Sequence, residues 1–277
     1  MGMYAPFAQI PVDLRAFTIT HYNDVEKPCQ RIFFPCRQTD FLRNRFACDI
    51  VMLHILLREQ QDKPHRASLS PTEGGCATMR RKIPMKKLLI TGFDPFGGAN
   101  INPAWEAVKL LPWELGNYRL QKLQIPTVFA AGAQAVLNAA ESYKPDLILC
   151  IGQAGGRSAV TPERIAVNIR DARIPDNSGM QPKGERVIPE GPAAYFATVD
   201  VMAMAQAAVD RGLPATVSNS AGAFVCNDVL YTLLHRYHDT STPVGFIHVP
   251  WLPEQGSPSL PLEQTVSALR AMVESCP

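Results

Sequence analysis

The chain has 277 residues, of which 46% are hydrophobic and 19% are charged, and its formal net charge is +2. This composition is typical of a globular protein with enough apolar residues for a sizeable core. It excludes a strongly basic nucleic-acid-binding protein, and no apolar run reaches the roughly 18 residues that a membrane-spanning helix needs. Because the chain start also lacks the layout of a secretory signal, we expect a cytoplasmic protein that binds neither nucleic acid nor a membrane.

The seven cysteines do not indicate disulfides or a metal site. Their number is odd and none of them lie in a CxxC pair, so the sequence gives no zinc or thioredoxin-like motif. We therefore expect free thiols in a reducing compartment and no bound metal.

Residues 1–84 show no regular hydrophobic periodicity. They carry 12 Lys and Arg against 8 Asp and Glu, whereas the rest of the chain carries 15 against 17. Their apolar clusters, at residues 32–35 and 51–57, are short and separated by charges and prolines. Such clusters bury too little surface to offset the entropy of ordering, which predicts a poorly ordered N-terminal extension.

From Lys86 onward, strand and helix patterns alternate. Residues 86–91 form a short apolar run that ends at Gly92, and Asn102 followed by Pro103 predicts an N-cap and the first residue of a helix. Further strands are predicted at 147–151, 165–169, 216–218 and 244–248, and helices at 128–143, 199–211, 224–237 and 262–274. The alternation predicts an α/β fold, a phosphorylase/hydrolase-like three-layer sandwich with a mainly parallel central sheet and helices on both faces.

Residues 171–196 interrupt this alternation, since they are rich in proline and glycine. A loop of this length inside a compact domain is usually functional or disordered.

The segment SNSAGAFVCND predicts a reactive thiol. It runs from a short strand through small residues into a helix, which places Cys226 in the first helical turn. Unpaired N–H groups and the helix dipole favour a thiolate at that position. The alternative is an ordinary buried cysteine.

Two further residues are candidates for acid/base chemistry. His248 ends a predicted strand, and ligands of open parallel sheets bind beyond the carboxyl ends of the strands. Glu163 follows the turn IGQAGGR, where a carboxylate could hold the imidazole in the tautomer that a general base needs. Alternatively, His248 is a core residue, and Glu163 pairs with Arg164 or Arg157 at the surface. GQAGGR matches no phosphate-binding motif, so we interpret its glycines as allowing a ligand to approach the backbone.

With these segments in view, residues 85–277 resemble the pyroglutamyl peptidase I family, also called pyrrolidone carboxyl peptidases. The resemblance rests on motifs that occur in the family's order: GFDPFGG, NPAWE, GQAGGR with PERIAVN, DARIPDN, GPAAYF, SNSAGAFVCN and GFIHVPWLPEQ. It implies a cysteine peptidase, an omega-peptidase that cleaves after an N-terminal pyroglutamyl residue of peptides through a thioester acyl-enzyme. The resemblance implies that Glu163, Cys226 and His248 form the catalytic triad, and that no cofactor is needed.

The resemblance also implies the binding residues. The oxyanion donors would be Arg173 and the backbone N–H of Cys226. The backbone of Gln153 would hold the lactam ring, and three aromatic side chains would wall the pocket: Phe93, Phe96 and Phe224. A neutral lactam suits such backbone partners and apolar walls, although each Phe could equally be ordinary core packing. A homo-oligomer, specifically a tetramer, is implied by the resemblance alone.

The N-terminal extension departs from the family, whose chains begin close to the first strand. We therefore expect a catalytic domain over 85–277 and a translation start assigned too far upstream, with a targeting or regulatory extension as the alternative. Two other functions stay open. One is a nucleoside phosphorylase-like transferase, and the other is a binding protein for pyroglutamyl peptides that lacks turnover.

Overall fold

The computed structural model describes residues 84–277 of the chain. Its strands are β1 (Lys86–Phe93), β2 (Glu114–Leu115), β3 (Tyr118–Ile125), β4 (Leu147–Gln153), β5 (Thr161–Pro162), β6 (Ile165–Val167), β7 (Ala194–Phe196) and β8 (Val244–Val249). Its helices are α1 (Pro103–Leu110), α2 (Ala131–Tyr143), α3 (Val201–Val209), α4 (Val225–Tyr237) and α5 (Leu262–Glu274). The predictions for the N-terminal extension concern residues outside this range.

The main sheet has six strands in the order β2-β3-β1-β4-β8-β5. The strands β3, β1, β4 and β8 run parallel to one another, and β2 and β5 add antiparallel edges. Strands β6 and β7 form a separate antiparallel pair. The predicted α/β fold with a mainly parallel central sheet is confirmed.

Helices cover both faces of this sheet because successive strand residues point to opposite sides. On β4 and β8, Ile151 and Ile247 belong to a core with α1, α3 and α5. Their neighbours Cys150 and Phe246 belong to a second core with α2 and α4. All four side chains are at most 1% exposed, so the central strands are apolar on both faces, as is usual for parallel sheets.

Hydrogen bonds of one side chain fix the connection between β1 and α1. The Asn102 side chain accepts a hydrogen bond from the Ala104 N–H at 3.0 Å and donates one to the Asp94 carbonyl at 2.9 Å. The helix start is thereby tied to the end of β1. A Cβ on Gly92 would lie 2.7 Å from the Cα of Trp105, so only glycine lets α1 approach β1 this closely.

Several predicted boundaries differ from the structure. The helix at 262–274 is confirmed, but the predicted strand at 216–218 forms only isolated bridges beside residues 160–163. Pro162 and Pro214 remove backbone donors from that pairing, which prevents a continuous ladder. The predicted strand at 165–169 ends at Val167 and lies in the separate pair. Strand β3 was not predicted at all.

Among the helices within residues 84–277, none is long and apolar enough to cross a lipid bilayer.

Candidate active site

A cavity of about 720 Å³ lies at the carboxyl ends of β1, β4 and β8. The carboxyl ends of parallel strands lie along the same edge of the sheet, and there the strand ends and the helix N-termini leave room for a ligand. Among the residues that line the cavity are all but one of those predicted from the sequence: Phe93, Phe96, Gln153, Arg173, Phe224, Cys226 and His248. Glu163 lies behind this lining and is fully buried.

Glu163 and His248 form a close buried pair. The Glu163 Oε1 atom lies 2.6 Å from His248 Nδ1, and the two residues are 0% and 3% exposed. A carboxylate at this position accepts the Nδ1–H, which leaves Nε2 as the basic nitrogen. Nε2 has no hydrogen-bond partner in the described part of the chain, and His248 lines the cavity.

Glu163 also binds an arginine, which the sequence had offered as an alternative to the histidine. Arg157 Nη1 donates to the same Oε1 atom at 2.7 Å. Arg164 points elsewhere and contacts Met202 Sδ at 3.2 Å. Burial alone would raise the pKa of Glu163, but the hydrogen bond and charge of His248, the nearby Ser218 hydroxyl and the charge of Arg157 lower it. The carboxyl group is therefore ionised.

Cys226 is the second residue of α4, and its sulfur lies directly over β4. A Cβ on Gly152 would fall 3.0 Å from Cys226 Sγ and 2.7 Å from the Phe246 ring. Gly152 is the register partner of His248 on the neighbouring strand. The thiol and the imidazole thus share one face of the sheet and one cavity, although no hydrogen bond joins them in the described residues.

The surroundings of Cys226 oppose the thiolate that the sequence predicted. Desolvation, followed by the negative charge of Glu163, raises the pKa of Cys226 to about 12. Burial also lowers the pKa of His248, against the hydrogen bond and charge of Glu163, which raise it. Loss of water contact outweighs the helix-terminus effect, because a buried ion loses its hydration. Both shifts favour the uncharged forms, the thiol and the neutral imidazole.

Aromatic rings wall the cavity. The ring centroids of Phe96 and Phe224 are 6.0 Å apart, Phe224 and Phe129 are 5.4 Å apart edge to face, and Phe93 and Phe246 are 6.2 Å apart. These distances are those of ordinary aromatic contacts. Phe96 and Phe224 are half-buried and present ring surface to the cavity. Phe93 is buried and exposes less of its ring there.

Polar groups complete the lining. The Cys226 N–H belongs to the first turn of α4, whose N-cap Phe224 supplies no side-chain acceptor. Such an N–H can donate to a ligand oxygen. Arg173 is exposed at the rim, and Gln153 extends two residues beyond Ile151, where the pairing of β4 with β1 ends. Each predicted binding residue therefore borders the same space.

The glycine turn after β4 serves the protein's own side chains as well as any ligand. A Cβ on Gly155 would lie 2.3 Å from the Trp251 ring, and one on Gly152 would strike Phe246 and Cys226. Gly155 and Gly152 admit Trp251 and the thiol, which then border the cavity. Gly155 and Gly156 also line the cavity, so our interpretation that the glycines of this turn let a ligand approach the backbone stays a prediction.

The long loop at 171–196 is held by buried polar contacts. Asp176 accepts hydrogen bonds from the backbone N–H groups of Phe129, Ser178 and Met180. The first residues of the loop, including Asp171 and Arg173, line the cavity, so the loop contributes to the site.

The polar residues next to Cys226 were not among the predicted site residues. Asn227 is fully buried and binds the backbone of Val167 and Ile169, and Asp228 pairs with Arg170 at 2.6 Å. The signal in the sequence was the pair of polar residues at the start of an otherwise largely apolar helix, which indicates buried polar contacts.

A family model described as pyroglutamyl peptidase matches residues 86–276. The chain belongs to the pyroglutamyl peptidase family. It is 50% identical over 192 residues to a pyrrolidone-carboxylate peptidase of Bacillus licheniformis, covering 67% of this chain and 89% of that protein. It is 51% identical over 197 residues to the same enzyme of Levilactobacillus brevis, covering 68% of this chain and 96% of that protein.

Solved structures of pyroglutamyl peptidases share this fold. The crystal structure of Bacillus amyloliquefaciens pyroglutamyl peptidase I is 44% identical, with a TM-score of 0.66, and the match covers 69% of this chain and 96% of that one. Pyrrolidone carboxyl peptidase from Thermococcus litoralis is 38% identical, with the same TM-score, over 69% and 93% of the two chains. Membership of the pyroglutamyl peptidase family favours a cysteine peptidase over the phosphorylase-like transferase that the sequence left open.

Proposed function

We propose that this chain, a member of the pyroglutamyl peptidase family, hydrolyses the bond after an N-terminal pyroglutamyl residue with Cys226 as nucleophile and His248 as acid/base. Glu163 orients the imidazole. One observation carries the assignment: the Glu163–His248 pair at 2.6 Å directs the free imidazole nitrogen into the cavity that also holds the Cys226 thiol. A nucleophile, a base and an orienting carboxylate are the components of this type of hydrolysis.

Acylation begins from the neutral pair. As Cys226 Sγ attacks the pyroglutamyl carbonyl carbon, the thiol proton moves to His248 Nε2. The carbonyl oxygen gains negative charge, which the Cys226 N–H and Arg173 stabilise. The tetrahedral intermediate then collapses, the C–N bond breaks, and the imidazolium gives its proton to the departing amine.

Deacylation reverses these roles. His248 takes a proton from a water molecule, and the resulting hydroxide attacks the thioester carbon. The C–S bond breaks, free pyroglutamate leaves, and the proton returns to the thiol. Glu163 stabilises the imidazolium during both acylation and deacylation because its carboxylate faces Nδ1.

The pocket fits the proposed substrate. Pyroglutamate presents an apolar ring edge, one N–H and one ring carbonyl, and carries no ammonium group. Phe96 and Phe224 supply apolar walls, and the strand end at Gln153 supplies backbone groups for a lactam. A peptide with a free, charged N-terminus would have to strip water from its ammonium group to place it between these rings, which is costly.

The cellular setting and assembly are part of the same proposal. The cysteines of the described range, Cys150, Cys226 and Cys276, are free thiols, which supports a reducing, cytoplasmic location. The exposed side chains of Phe196 and Met202, at 68% and 58%, support association between copies into a homo-oligomer, with a tetramer as the specific expectation. Sedimentation analysis checks the oligomeric state.

Release of a fluorescent amine from a pyroglutamyl amide tests the function. We expect turnover that a thiol-alkylating agent abolishes, and far slower release from the matching prolyl amide, which lacks the ring carbonyl. A binding protein without turnover would bind the pyroglutamyl amide and release no amine. Equal turnover before and after complete alkylation of Cys226 would contradict the proposal.

A further inference from the structure

We propose that Arg157 is a positioning residue for this hydrolysis: its guanidinium fixes the Glu163 carboxylate against His248 and ties together the chain segments that carry the catalytic groups. The inference rests on the proposed roles of Glu163, Cys226 and His248.

Three contacts carry the inference. Arg157 Nη1 donates to Glu163 Oε1 at 2.7 Å, and the same nitrogen contacts the Thr161 hydroxyl. Arg157 Nη2 donates to the carbonyl of Ser220 at 3.3 Å. Thr161 in turn donates to the His248 carbonyl at 3.4 Å. One side chain therefore links the turn after β4, the edge strand β5, the carboxylate and the segment that leads into α4.

The shared acceptor explains how position is transmitted. Glu163 Oε1 accepts from both Arg157 Nη1 and His248 Nδ1, so the carboxylate is held from two directions. A carboxylate held by the imidazole alone could rotate about its last side-chain bond and turn the ring with it. Since Nε2 must meet the thiol, a small rotation would misalign proton transfer.

Burial makes the charge of Arg157 necessary. Glu163 is 0% exposed, and its second oxygen, Oε2, has no hydrogen-bond partner within the described residues. A buried carboxylate needs a paired charge, because removing it from water is costly. Arg157 is the one Lys or Arg within residues 84–277 that forms a salt bridge with Glu163. Its own side chain is 28% exposed, so it reaches from the cavity wall into the interior.

The shape of the guanidinium suits this role. Its planar fork can donate in several fixed directions at once, whereas the ammonium of lysine is a flexible point charge. Arg157 uses this property, since its acceptors are a carboxylate, a hydroxyl and a backbone carbonyl on separate segments.

Arg157 also affects the titration of its neighbours. His248 faces Glu163 after β5, Cys226 on α4 and Arg157 on the turn, with Asp171 and Arg173 across the cavity. Burial has the larger effect on both groups: it raises the pKa of Cys226 and lowers the pKa of His248. The positive charge of Arg157 lowers both pKa values. Removing this charge should raise both pKa values and move the acid limb of the activity profile to higher pH.

Two other roles give different results. Arg157 lines the cavity, so as a substrate-binding group its loss would raise KM and leave kcat unchanged. As a purely structural link, its loss would lower the thermal midpoint without moving the pH profile of the remaining folded enzyme.

The test compares Arg157→Gln and Arg157→Lys in the full chain, with Arg164→Gln as the matched control. Arg164 is the neighbouring arginine beside Glu163, and its side chain contacts Met202 instead of the carboxylate. For each variant, kcat and KM on a pyroglutamyl amide are measured across pH, together with the pH dependence of inactivation by iodoacetamide. The inactivation rate reports the Cys226 thiol without any substrate.

We expect Arg157→Gln to lower kcat by about 10- to 100-fold at an almost unchanged KM, with both pH profiles shifted to higher pH. Arg157→Lys should restore the position of the profiles but not the full kcat, and Arg164→Gln should match the parent. A raised KM with unchanged kcat, or unshifted profiles in a folded variant, would overturn the proposal. If Arg157→Gln does not fold, a folded Arg157→Lys variant with parental kcat would overturn it. An inactive parent, or an active Cys226→Ala, would instead refute the proposed function.

Discussion

The same two strands build a core on one face and a candidate active site on the other. On β4 and β8, Ile151, Ile247 and Val249 point into an apolar layer with α1, α3 and α5. The residues between them, Gly152 and His248, point to the opposite face beside Cys226. The difference is confined to alternate positions at the carboxyl ends of the strands.

A parallel sheet can thus hold catalytic side chains at its strand ends while its core packing stays almost complete. Further back on the same face, Phe246 and Cys150 still pack as core residues. Only at the strand ends does a missing side chain at Gly152 make space for the sulfur, while His248 supplies a base. The opposite face keeps its full apolar packing and supports the fold. Substitutions on the two faces should therefore act separately on activity and on stability.

Loss of the thiol should have the largest effect. We expect Cys226→Ala and Cys226→Ser to abolish turnover of a pyroglutamyl amide while the fold stays intact, because each change deletes the nucleophile and little volume. His248→Ala should be nearly as damaging. Steady-state rates and circular dichroism of the purified variants check this. Near-normal activity in either Cys226 variant would show that another group attacks the substrate.

Adding one methyl group at Gly152 should disturb the site more than removing one on the opposite face. The new Cβ of Gly152→Ala would lie 2.7 Å from the Phe246 ring and 3.0 Å from Cys226 Sγ, so the ring and the sulfur must shift, and we expect kcat/KM to fall by about 100-fold. The matched control is Ile247→Val, which removes a core methylene on the apolar face. It should cost about 1 kcal/mol of unfolding free energy and leave kcat/KM unchanged. Parental kcat/KM in Gly152→Ala would contradict this account of the two faces.

Removing the charge of Glu163 should have an intermediate effect. In Glu163→Gln the amide oxygen can still accept from His248 Nδ1, so the tautomer is kept, and the loss should be smaller than the roughly 10⁴-fold drop typical of a wrong tautomer in serine peptidases. Because Glu163 raises the pKa of His248, the acid limb should move to lower pH, opposite to the shift expected for Arg157→Gln. A variant with parental kcat and pH profile would remove Glu163 from the triad.

The pH dependence of the parent enzyme follows from the neutral pair. Burial lowers the pKa of His248 below its ordinary 6.5, so the free base is lost only as pH falls through that lowered value. The thiol pKa of about 12 places its ionisation far above neutral pH. We therefore expect kcat/KM to rise through a midpoint below 6.5 and then to stay level through neutral pH. An acid limb centred above 6.5 would indicate that ionisation of the thiol controls the rate.

Truncation should have the smallest effect. The family model begins at residue 86, and every proposed catalytic and binding residue lies after it. We propose that residues 85–277 suffice for activity, so a chain starting at Met85 should keep the parental kcat/KM and thermal midpoint. Measured side by side with the full chain, a shorter chain that loses activity or melts several degrees lower would make residues 1–84 part of the enzyme.

Residues with a strong local pattern could be predicted from the sequence. The apolar runs of β1, β4 and β8 and the periodicity of α5 were recognisable, because burial on both faces leaves continuous apolar stretches. Strand β3 was missed because Arg119, Gln121, Lys122 and Gln124 interrupt its apolar pattern. This strand lies next to the edge of the sheet, where its side chains reach solvent.

The site was predictable only in part, for a related reason. The ends of strands and the start of α4 located Cys226 and His248, the turn IGQAGGR pointed to Glu163, and the family motifs joined the three as a triad. The sequence does not show how strongly burial acts on a thiol, which is why a thiolate was expected where the pKa is raised to about 12. Nor does it show which arginine reaches Glu163, since Arg164 is its neighbour in the chain but Arg157, six residues away, forms the contact.

In the proposed mechanism Cys226 carries the acyl group during turnover. Mixing the enzyme with an activated pyroglutamyl ester, quenching in acid within the first turnover and mapping the acylated peptide by mass spectrometry tests it directly. We predict one pyroglutamyl group bound as a thioester to the peptide that contains Cys226, and none in Cys226→Ala. Acylation of another residue during productive turnover, or full turnover in the Cys226→Ala variant, would contradict the claim.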